Sequence, residues 1–311
     1  MIKRTLYFEN PSYLSLKNSQ LVIRLPEVEK SDVPVSFKDA SVHTIPIEDI
    51  GVLILDNKQI TFTQGLLEAL LKNNVAVIAC GSNHMPLGLY LPLEGNTTQS
   101  ERTQAQVDAS LPLKKQLWQQ TVQAKIENQA YVLHNCRNET VKNMLVWSKQ
   151  VKSGDSENME GRAAAYYWAN LFRQIEGFRR GREGIPPNNL LNYGYAVLRA
   201  VIARSLVGSG LFPTLGIHHH NRYNAFCLAD DVMEPYRPFV DKLVIEIVDS
   251  GCNYENITRE IKIQLLKIPV MDVVINGNRS PLMLAARQTS ASLARCYLGE
   301  IRKIAYPEFP A

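Results

Sequence analysis

Imidazole and carboxylate side chains crowd one short part of this chain. Three consecutive histidines, His218 to His220, are followed by Asp230, Asp231, Glu234 and Arg237. Imidazole nitrogen and carboxylate oxygen are the ligands of catalytic divalent-metal sites, and a guanidinium group suits an anionic substrate such as phosphate. The residue types therefore predict metal-assisted attack at a phosphorus atom.

Two of these acids have a helical spacing. Asp231 and Glu234 are three residues apart, which places both carboxylates on one face of a helix. Pro235 and Pro238 restrict that helix, because proline is tolerated in a first turn and is disruptive in the interior. We therefore expect the acidic pair at a helix start or at a kink. The simpler alternative is that both acids only cap a helix N-terminus.

The three histidines cannot share one role, since adjacent side chains diverge on a helix and alternate on a strand. At most one or two of them can face a metal site. A polar loop, or an incidental metal-binding tract, is the alternative. A zinc hydrolase is the rival chemistry, but the sequence contains no H-E-x-x-H motif and its five cysteines show no C-x-x-C spacing.

A further candidate acid lies upstream, at the start of an expected helix. Polar capping residues from Gly154 to Asn158 lead into an alanine-rich run that begins near Glu160. Glycine in an early helical turn costs up to about 1 kcal/mol relative to alanine, so at Gly161 we expect a close approach of another backbone. Taken alone, Glu160 is explained as a first-turn charge that complements the helix dipole.

The net charge is only +4, but the excess is concentrated in one segment. Residues 173–204 contain two glutamates and six arginines: Arg173, Arg179, Arg180, Arg182, Arg199 and Arg204. A solvated helix face explains such a cluster equally well. The all-arginine composition favours phosphate, because guanidinium groups bind phosphate oxygens bidentately. The aromatic residues in and beside this segment are expected to be mostly core, with one available to stack on a base: Phe172, Phe178, Tyr193 and Tyr195.

Hydrophobic periodicity divides the chain into two parts. Up to about Glu94 the residues alternate as in strands, and residues 63–73 form an amphipathic helix. The expected strands span residues 5–8, 13–16, 20–25, 52–55, 75–79 and 87–91. A polar cluster at 95–100 breaks this pattern, and a helical period follows. The expected helices span residues 105–133, 157–172, 190–206, 231–249 and 280–304, the last with Ser280 as N-cap and Pro281 in its first turn.

We therefore predict an α+β fold, with a small β-rich domain with one helix at residues 1–98 and a larger all-α domain at residues 99–311. A chain of 311 residues that is 45% hydrophobic can bury a core in each. No apolar run approaches the roughly 20 residues that cross a bilayer, and the N-terminus does not read as a signal peptide. We expect a cytoplasmic protein without membrane association, whose cysteines are reduced thiols.

Four segments follow one another in the second part of the chain. They are G-D-x-x-N-x-E-G-R-A-A at 154–164, N-x-x-L-N-Y-G-Y at 188–195, L-G-I-H-H at 215–219 and D-D-x-x-E-P-Y-R-P at 230–238. Together they resemble the integrase family of CRISPR adaptation, the first of the two core Cas proteins that insert new spacers. The resemblance covers the whole chain. The last two segments are most similar to integrases that accompany single-protein, dual-RNA-guided (type II) effectors.

The resemblance implies a set of site residues. The metal-binding acids of the family fall on Glu160 and Glu234, and its histidine falls on His219. Asp231 matches an aspartate beside the metal, while the additional histidine, His220, makes the choice of imidazole less certain than that of the acids. The implied cofactor is Mg²⁺ or Mn²⁺, and an imidazole ligand favours manganese.

Two roles are open for Arg237, which lies beside these residues in the sequence. Arg237 could steady a substrate phosphate or form a structural ion pair with Asp241. The arginines expected to contact DNA are Arg173, Arg179, Arg180 and Arg182.

The implied reaction joins the 3′-hydroxyl ends of a short foreign DNA to a CRISPR repeat boundary by transesterification. The implied partners are double-stranded DNA, a second copy of the chain bound through the β-rich domain, and a dimer of the small second core Cas protein. The all-α domain would then carry catalysis and DNA binding. Endonuclease activity is a variant on the same site, and a non-catalytic DNA-binding scaffold is the alternative from another class.

Overall fold

A computed structural model describes residues 3–310 of the chain. The chain divides into two compact units between Gly95 and Asn96. The predicted boundary after residue 98 lies in the same polar segment.

The N-terminal unit contains two four-stranded sheets. Its strands are β1 (Arg4–Phe8), β2 (Tyr13–Lys17), β3 (Gln20–Arg24), β4 (His43–Pro46), β5 (Ile50–Leu55), β6 (Thr61–Phe62), β7 (Ala76–Cys80) and β8 (Pro86–Tyr90). Its helices are α1 (Pro26–Lys30), α2 (Val35–Ala40) and α3 (Gln64–Lys72). The strand orders are β1-β5-β7-β8 and β4-β3-β2-β6.

Apolar patterning explains both sheets. β5 is an unbroken apolar run and lies in parallel between β1 and β7, as expected for a strand buried on both faces. β2 and β3, two of the expected strands, form an antiparallel hairpin whose turn residues Asn18 and Ser19 have positive φ. Leu66 and Leu70 of α3 pack into the core with Leu53 of β5. The structure adds two short helices, α1 and α2, to the one that was predicted.

The second unit is mainly helical. Its helices are α4 (Gln99–Val107), α5 (Leu111–Arg137), α6 (Lys142–Gln150), α7 (Met159–Leu171), α8 (Asn188–Gly208), α9 (Cys227–Met233), α10 (Arg237–Asp249), α11 (Arg259–Leu265) and α12 (Leu282–Tyr297). A hairpin of β9 (Asp272–Ile275) and β10 (Asn278–Pro281) was not predicted. A β-rich unit followed by a helical one confirms the predicted fold class. Within residues 3–310, none of the helices has the length and apolar character to span a bilayer.

The prediction of one continuous helix at residues 105–133 is wrong, because the structure has two helices there. α4 ends at Val107 and α5 begins at Leu111. The Ser110 side chain accepts a hydrogen bond from the Leu113 amide, and Pro112 occupies the first turn of α5. This N-cap and early proline are ordinary helix-start signals within a run that otherwise has helical periodicity.

The last helix is shorter than predicted at both ends. Ser280 and Pro281 belong to β10, where their pairing with β9 replaces the expected N-cap. After α12 the chain turns at Gly299, which has a positive φ. The following tail is irregular apart from a bridge between Glu308 and Val274 of β9, and its Phe309 ring stacks on Phe239 of α10 with the centroids 4.0 Å apart. The C-terminal tail thus forms part of the core of the helical unit.

Candidate active site

Glu160 stands at the capped start of α7. Asp155 accepts hydrogen bonds from the Met159 and Glu160 amides at 2.8 and 3.0 Å, and the Asn158 side chain accepts one from the Gly161 amide. A Cβ on Gly161 would lie 2.6 Å from Asn158 Oδ1. The closest neighbour of this glycine is therefore the capping side chain. These caps fix the direction of the first turn and of Glu160.

Glu234 lies at a kink, as the two prolines predicted. α9 ends at Met233, a single 3-10 turn covers Glu234–Tyr236, and α10 starts at Arg237. The Arg237 guanidinium lies 3.1 Å from Glu234 Oε1. Asp241 instead accepts hydrogen bonds from two tyrosine hydroxyls, so the structural partner of Arg237 is Glu234.

Asp231 holds the histidine loop, which contains His218 to His220, next to the same kink. This fully buried carboxylate accepts a hydrogen bond from the His218 amide at 2.8 Å, and it contacts His219 Nδ1. A Cβ on Gly216 would lie 2.2 Å from the His219 carbonyl oxygen and 3.0 Å from Asp231 Oδ2. Only glycine leaves room for this turn, which explains the glycine of the L-G-I-H-H segment.

The histidines differ in their surroundings. The His218 ring stacks on the buried Trp118 ring with the centroids 4.3 Å apart, and the His219 ring, whose side chain is 45% exposed, meets the same indole edge-on at 5.6 Å. The contact with Asp231 raises the pKa of His219. Burial lowers the pKa of His218. His220 is exposed and lines a neighbouring cavity. Since Asp231 holds Nδ1 of His219, Nε2 is the nitrogen left for coordination.

The two glutamates meet at a lysine that the sequence analysis did not identify. Nζ of Lys125 lies 2.6 Å from Glu160 Oε1 and 2.6 Å from Glu234 Oε2. Burial lowers the pKa of Lys125, but the two carboxylates outweigh it and the net pKa lies above its ordinary value. Burial likewise raises the pKa of Glu234, and Arg237 with Lys125 brings it below its ordinary value. Lys125 and Glu234 are therefore both charged despite their burial.

Lys125 belongs to a polar stripe on α5 that positions the site. The stripe consists of Thr121, Lys125 and Asn128, at helical spacings of four and three residues. Asn128 donates a hydrogen bond to the Pro235 carbonyl oxygen at 2.8 Å, directly beside Glu234. The signal in the sequence was this repeat of polar residues inside a helix of otherwise apolar periodicity.

The arginine segment separates into structural and exposed members. Arg199 pairs with Asp230 at 2.7 Å, and Arg204 is buried. Arg180 donates hydrogen bonds to the side chains of Asn188 and Asn192. The exposed arginines are Arg173, Arg179 and Arg182. The neighbouring aromatic rings are mostly core, as expected, since three of them are buried: Phe172, Tyr193 and Tyr195.

A cavity of about 360 Å³ opens beside His219. Its lining includes Lys114 and Arg222 together with the amide side chains of Gln106 and Asn221. Cationic groups attract phosphate, and amides can both donate and accept hydrogen bonds. The cationic and amide groups of this lining suit an anionic group.

The candidate metal donors are the carboxylates of Glu160 and Glu234 and the imidazole of His219. Within residues 3–310, no three His, Cys, Asp or Glu side chains are arranged to hold a metal as they stand, because Lys125 lies between the two acids. Glu234 Oε2 is nevertheless a buried oxygen, and the group that it contacts is the Lys125 ammonium, at 2.6 Å. Two hard oxygen donors that converge on one cationic position, with an exposed imidazole on the adjoining loop, fit Mg²⁺ or Mn²⁺.

Asp241 gives a prediction on stability. Burial raises its pKa to about 6, against hydrogen bonds from Tyr195 and Tyr167 that lower it. Between the unfolded pKa and this folded value, the unfolded chain loses a proton that the folded chain keeps, so stability falls as pH rises. From pH 5 to pH 8 we expect the wild type to lose about 1 kcal/mol relative to Asp241→Asn. Urea unfolding of both proteins at the two pH values measures this, and a difference independent of pH would contradict it.

Comparison with known sequences identifies relatives along most of the chain. Residues 6–260 match the profile of the family described as CRISPR associated protein Cas1. The CRISPR-associated endonuclease Cas1 of Neisseria meningitidis serogroup C (strain 8013) is 38% identical over 268 residues, which cover 86% of this chain and 83% of that protein. The CRISPR-associated endonuclease Cas1 2 of Pyrobaculum aerophilum is 28% identical over 264 residues, covering 80% and 88%.

Solved structures share the fold. A casposase bound to its integration product superposes with a TM-score of 0.76 at 21% identity, covering 98% of this chain and 92% of that one. A Cas1 protein from Thermotoga maritima gives 0.71 at 14% identity, covering 96% and 98%. A chain of a Cas6-RT-Cas1–Cas2 complex gives 0.69 at 19% identity, covering 97% of this chain and 35% of that one. Identities this low compare the fold alone, and they agree with the predicted architecture.

Proposed function

This chain belongs to the Cas1 family of CRISPR-associated proteins, and from that premise we propose that it is a metal-dependent DNA integrase of CRISPR adaptation. The observation that carries the proposal is the convergence of Glu160 and Glu234 on one cationic position, 2.6 Å from each. His219 lies on the loop that Asp231 holds against the same kink. The proposed ligands therefore belong to three separate segments of the chain.

In the proposed reaction, the free 3′-hydroxyl of a short foreign DNA attacks a phosphodiester at the repeat boundary. A new P–O bond forms to the attacking oxygen, and the P–O bond to the 3′ oxygen of the repeat strand breaks. The hydroxyl loses its proton and the departing oxygen gains one, so the transesterification needs no further co-reactant. Two such events insert one spacer.

The residues that would hold Mg²⁺ or Mn²⁺ are Glu160, His219 and Glu234. A bound ion supplies Lewis acidity that neutralises charge developing on the phosphorus and on the leaving oxygen. Asp231 fixes the His219 ring through Nδ1, and Arg237 fixes the Glu234 carboxylate through Oε1. These outer contacts orient the donor atoms, as in many metal enzymes.

A plasmid assay tests the proposed reaction. We expect the protein to join a short duplex with 3′-hydroxyl ends to a repeat-bearing plasmid in the presence of Mg²⁺, and to lose that activity with a chelator. The matched substrate carries 3′-dideoxy ends, which lack the attacking oxygen. Equal product from both duplexes would exclude strand joining, and plasmid nicking by both would favour the endonuclease variant.

We place DNA contacts on the exposed arginines of the segment before α8. Replacing Arg173, Arg179 and Arg182 by alanine is expected to weaken binding to duplexes of unrelated sequence. Each phosphate contact that is lost should lower the log–log salt slope by about 0.9. A salt titration of binding measures this, with Arg295→Ala as a control, since Arg295 pairs with Glu300 at another exposed surface. An unchanged slope would mean that these arginines are only a solvated face.

Arg180 stays within the predicted DNA-binding set but has a second role. Its guanidinium lies 5.2 Å from the Tyr195 ring, and that of Arg237 lies 5.0 Å from it. Such cation–π contacts, together with the hydrogen bonds to two asparagine side chains, hold the loop before α8 against the site. We therefore omit Arg180 from the salt experiment, because its loss would also disturb the fold.

The proposed assembly follows the family. The N-terminal unit would form a homodimer, and the helical unit would carry catalysis and double-stranded DNA. The second core protein, Cas2, is the proposed further partner. A chain that shares this fold belongs to a solved Cas6-RT-Cas1–Cas2 complex. We also propose that the protein is cytoplasmic and belongs to a CRISPR system whose effector is a single protein guided by two RNAs. A non-catalytic scaffold is disfavoured, because caps alone do not explain two acids, one of them buried, that converge on one cation.

A further inference from the structure

The Lys125 ammonium occupies the point on which both proposed carboxylate ligands converge. Its side chain is 11% exposed, and the side chain of Glu160 is 22% exposed. Glu234 is more buried than either. A buried charge is costly unless it is paired, so these contacts differ from ion pairs that form incidentally on a surface.

The position of Lys125 is set by a firmly held helix. Near it on α5, the Thr121 hydroxyl lies 2.7 Å from the Tyr306 hydroxyl of the C-terminal tail. One turn after Lys125, Asn128 donates to the Pro235 carbonyl oxygen at 2.8 Å. The backbone of Lys125 is thus anchored on both sides, and its flexible four-carbon stem is the part that can move.

A divalent ion cannot share these two oxygens with the ammonium. Magnesium binds oxygen at about 2.1 Å, so an ion on either carboxylate oxygen would lie within about 4.7 Å of the ammonium nitrogen. Two cations this close repel strongly in a buried site. The charges lead to the same conclusion, because Lys125 and Arg237 already balance Glu160 and Glu234. A divalent ion would add two positive charges unless the lysine left.

We infer that Lys125 is a tethered counter-ion that holds Glu160 and Glu234 together in the metal-free protein and leaves when a divalent ion binds between them. The inference rests on the proposed function, since it takes the two acids as metal ligands. It follows that the site is assembled before the ion arrives, because the ammonium suppresses the mutual repulsion of the carboxylates. It also follows that the lysine lowers the affinity for the ion.

Manganese binding to the purified protein tests this role without an activity assay. Lys125→Met removes the ammonium and keeps a stem of similar length. We expect this variant to bind Mn²⁺ at least about tenfold more tightly than the wild type in a calorimetric titration, because the competing charge is gone. Lys125→Arg keeps the charge and should show no such gain. The control is Lys152→Met, which removes an exposed lysine paired with Glu157. Equal or weaker binding by folded Lys125→Met would overturn the inference.

A second measurement uses the wild type and does not depend on a variant that folds. The paired ammonium of Lys125 should react slowly with an amine-acetylating reagent in the metal-free protein. Saturating Mg²⁺ should raise its acetylation rate several-fold, as read by peptide mass spectrometry, while exposed Lys149 should react equally in both states. An unchanged rate at Lys125 would show that the lysine stays in place when the ion binds.

Mn²⁺ binding by two further variants distinguishes a failure of this inference from a failure of the proposed function. Glu160→Gln and Glu234→Gln each remove a charged oxygen donor and should weaken Mn²⁺ binding markedly. If both variants bound Mn²⁺ as tightly as the wild type, the ligand assignment itself would fall. If they lost binding while Lys125→Met gained none, only the role of the lysine would be overturned.

Discussion

Replacing either glutamate of the site is expected to abolish strand joining while leaving DNA binding within a few fold. Glu160→Gln and Glu234→Gln each remove one negative oxygen donor at nearly constant size, so the proposed ion is no longer held. Loss of several kcal/mol of transition-state stabilisation corresponds to a rate decrease of about 100-fold or more. DNA binding should be retained, because the exposed arginines that we assign to the phosphates are not altered.

The measurement is integration of a short duplex into a repeat-bearing plasmid, beside binding of the same duplex. Glu157→Gln is the matched control, since this glutamate precedes the same helix and pairs with the exposed Lys152. Integration near the wild-type rate by a folded Glu160 or Glu234 variant would remove the acid from the proposed ligand set. Loss of DNA binding along with integration would assign the glutamates a structural role instead.

The kink at Glu234 and the caps before Glu160 show what the sequence can predict. Pro235 and Pro238 restrict the backbone locally, so a helix start or kink at Glu234 followed from proline geometry alone. Asp155 and Asn158 are capping types just before an alanine-rich run, and both cap α7. Such signals lie within a few residues of the feature that they cause, and that is why they could be read.

Lys125 shows where this kind of inference ends. It lies 35 residues before Glu160 in the chain and is within hydrogen-bonding distance of it in the fold. A lysine in a helical run ordinarily marks the solvated face, and helical spacing alone does not show which face meets another element. The buried stripe becomes visible only when α5, α7 and the turn at Glu234 pack together. Long-range juxtaposition of charges is therefore the part of the site that periodicity could not supply.

The arginine segment adds a similar case. Its all-arginine composition favoured phosphate for the segment as a whole, and Arg199 and Arg204 are engaged within the helical unit. Charge in a sequence is a property of residue type, whereas availability to a ligand depends on the elements packed around each side chain. The exposed members could be separated from the others only by their burial.

Variants of His218, His219 and His220 test which of the three histidines is the metal ligand. His219→Ala is expected to suppress integration by about 100-fold or more, since it removes the proposed imidazole ligand. The loop itself should persist, because Asp231 still accepts a hydrogen bond from the His218 amide. His220→Ala should cost little, as this exposed side chain diverges from its neighbour.

His218 should act through packing alone, and one further variant separates this role from coordination. His218→Ala removes a ring that stacks on Trp118 at 4.3 Å, so a moderate loss of thermal stability and activity is expected. His218→Phe keeps a flat ring on Trp118 but carries no nitrogen, and it should recover most of the activity. If His218→Phe stayed inactive in folded protein while His219→Ala retained integration, His218 would be the ligand. The assignment of Glu160 and Glu234 as ligands does not depend on that result, because the two acids converge on one position whichever histidine binds the metal.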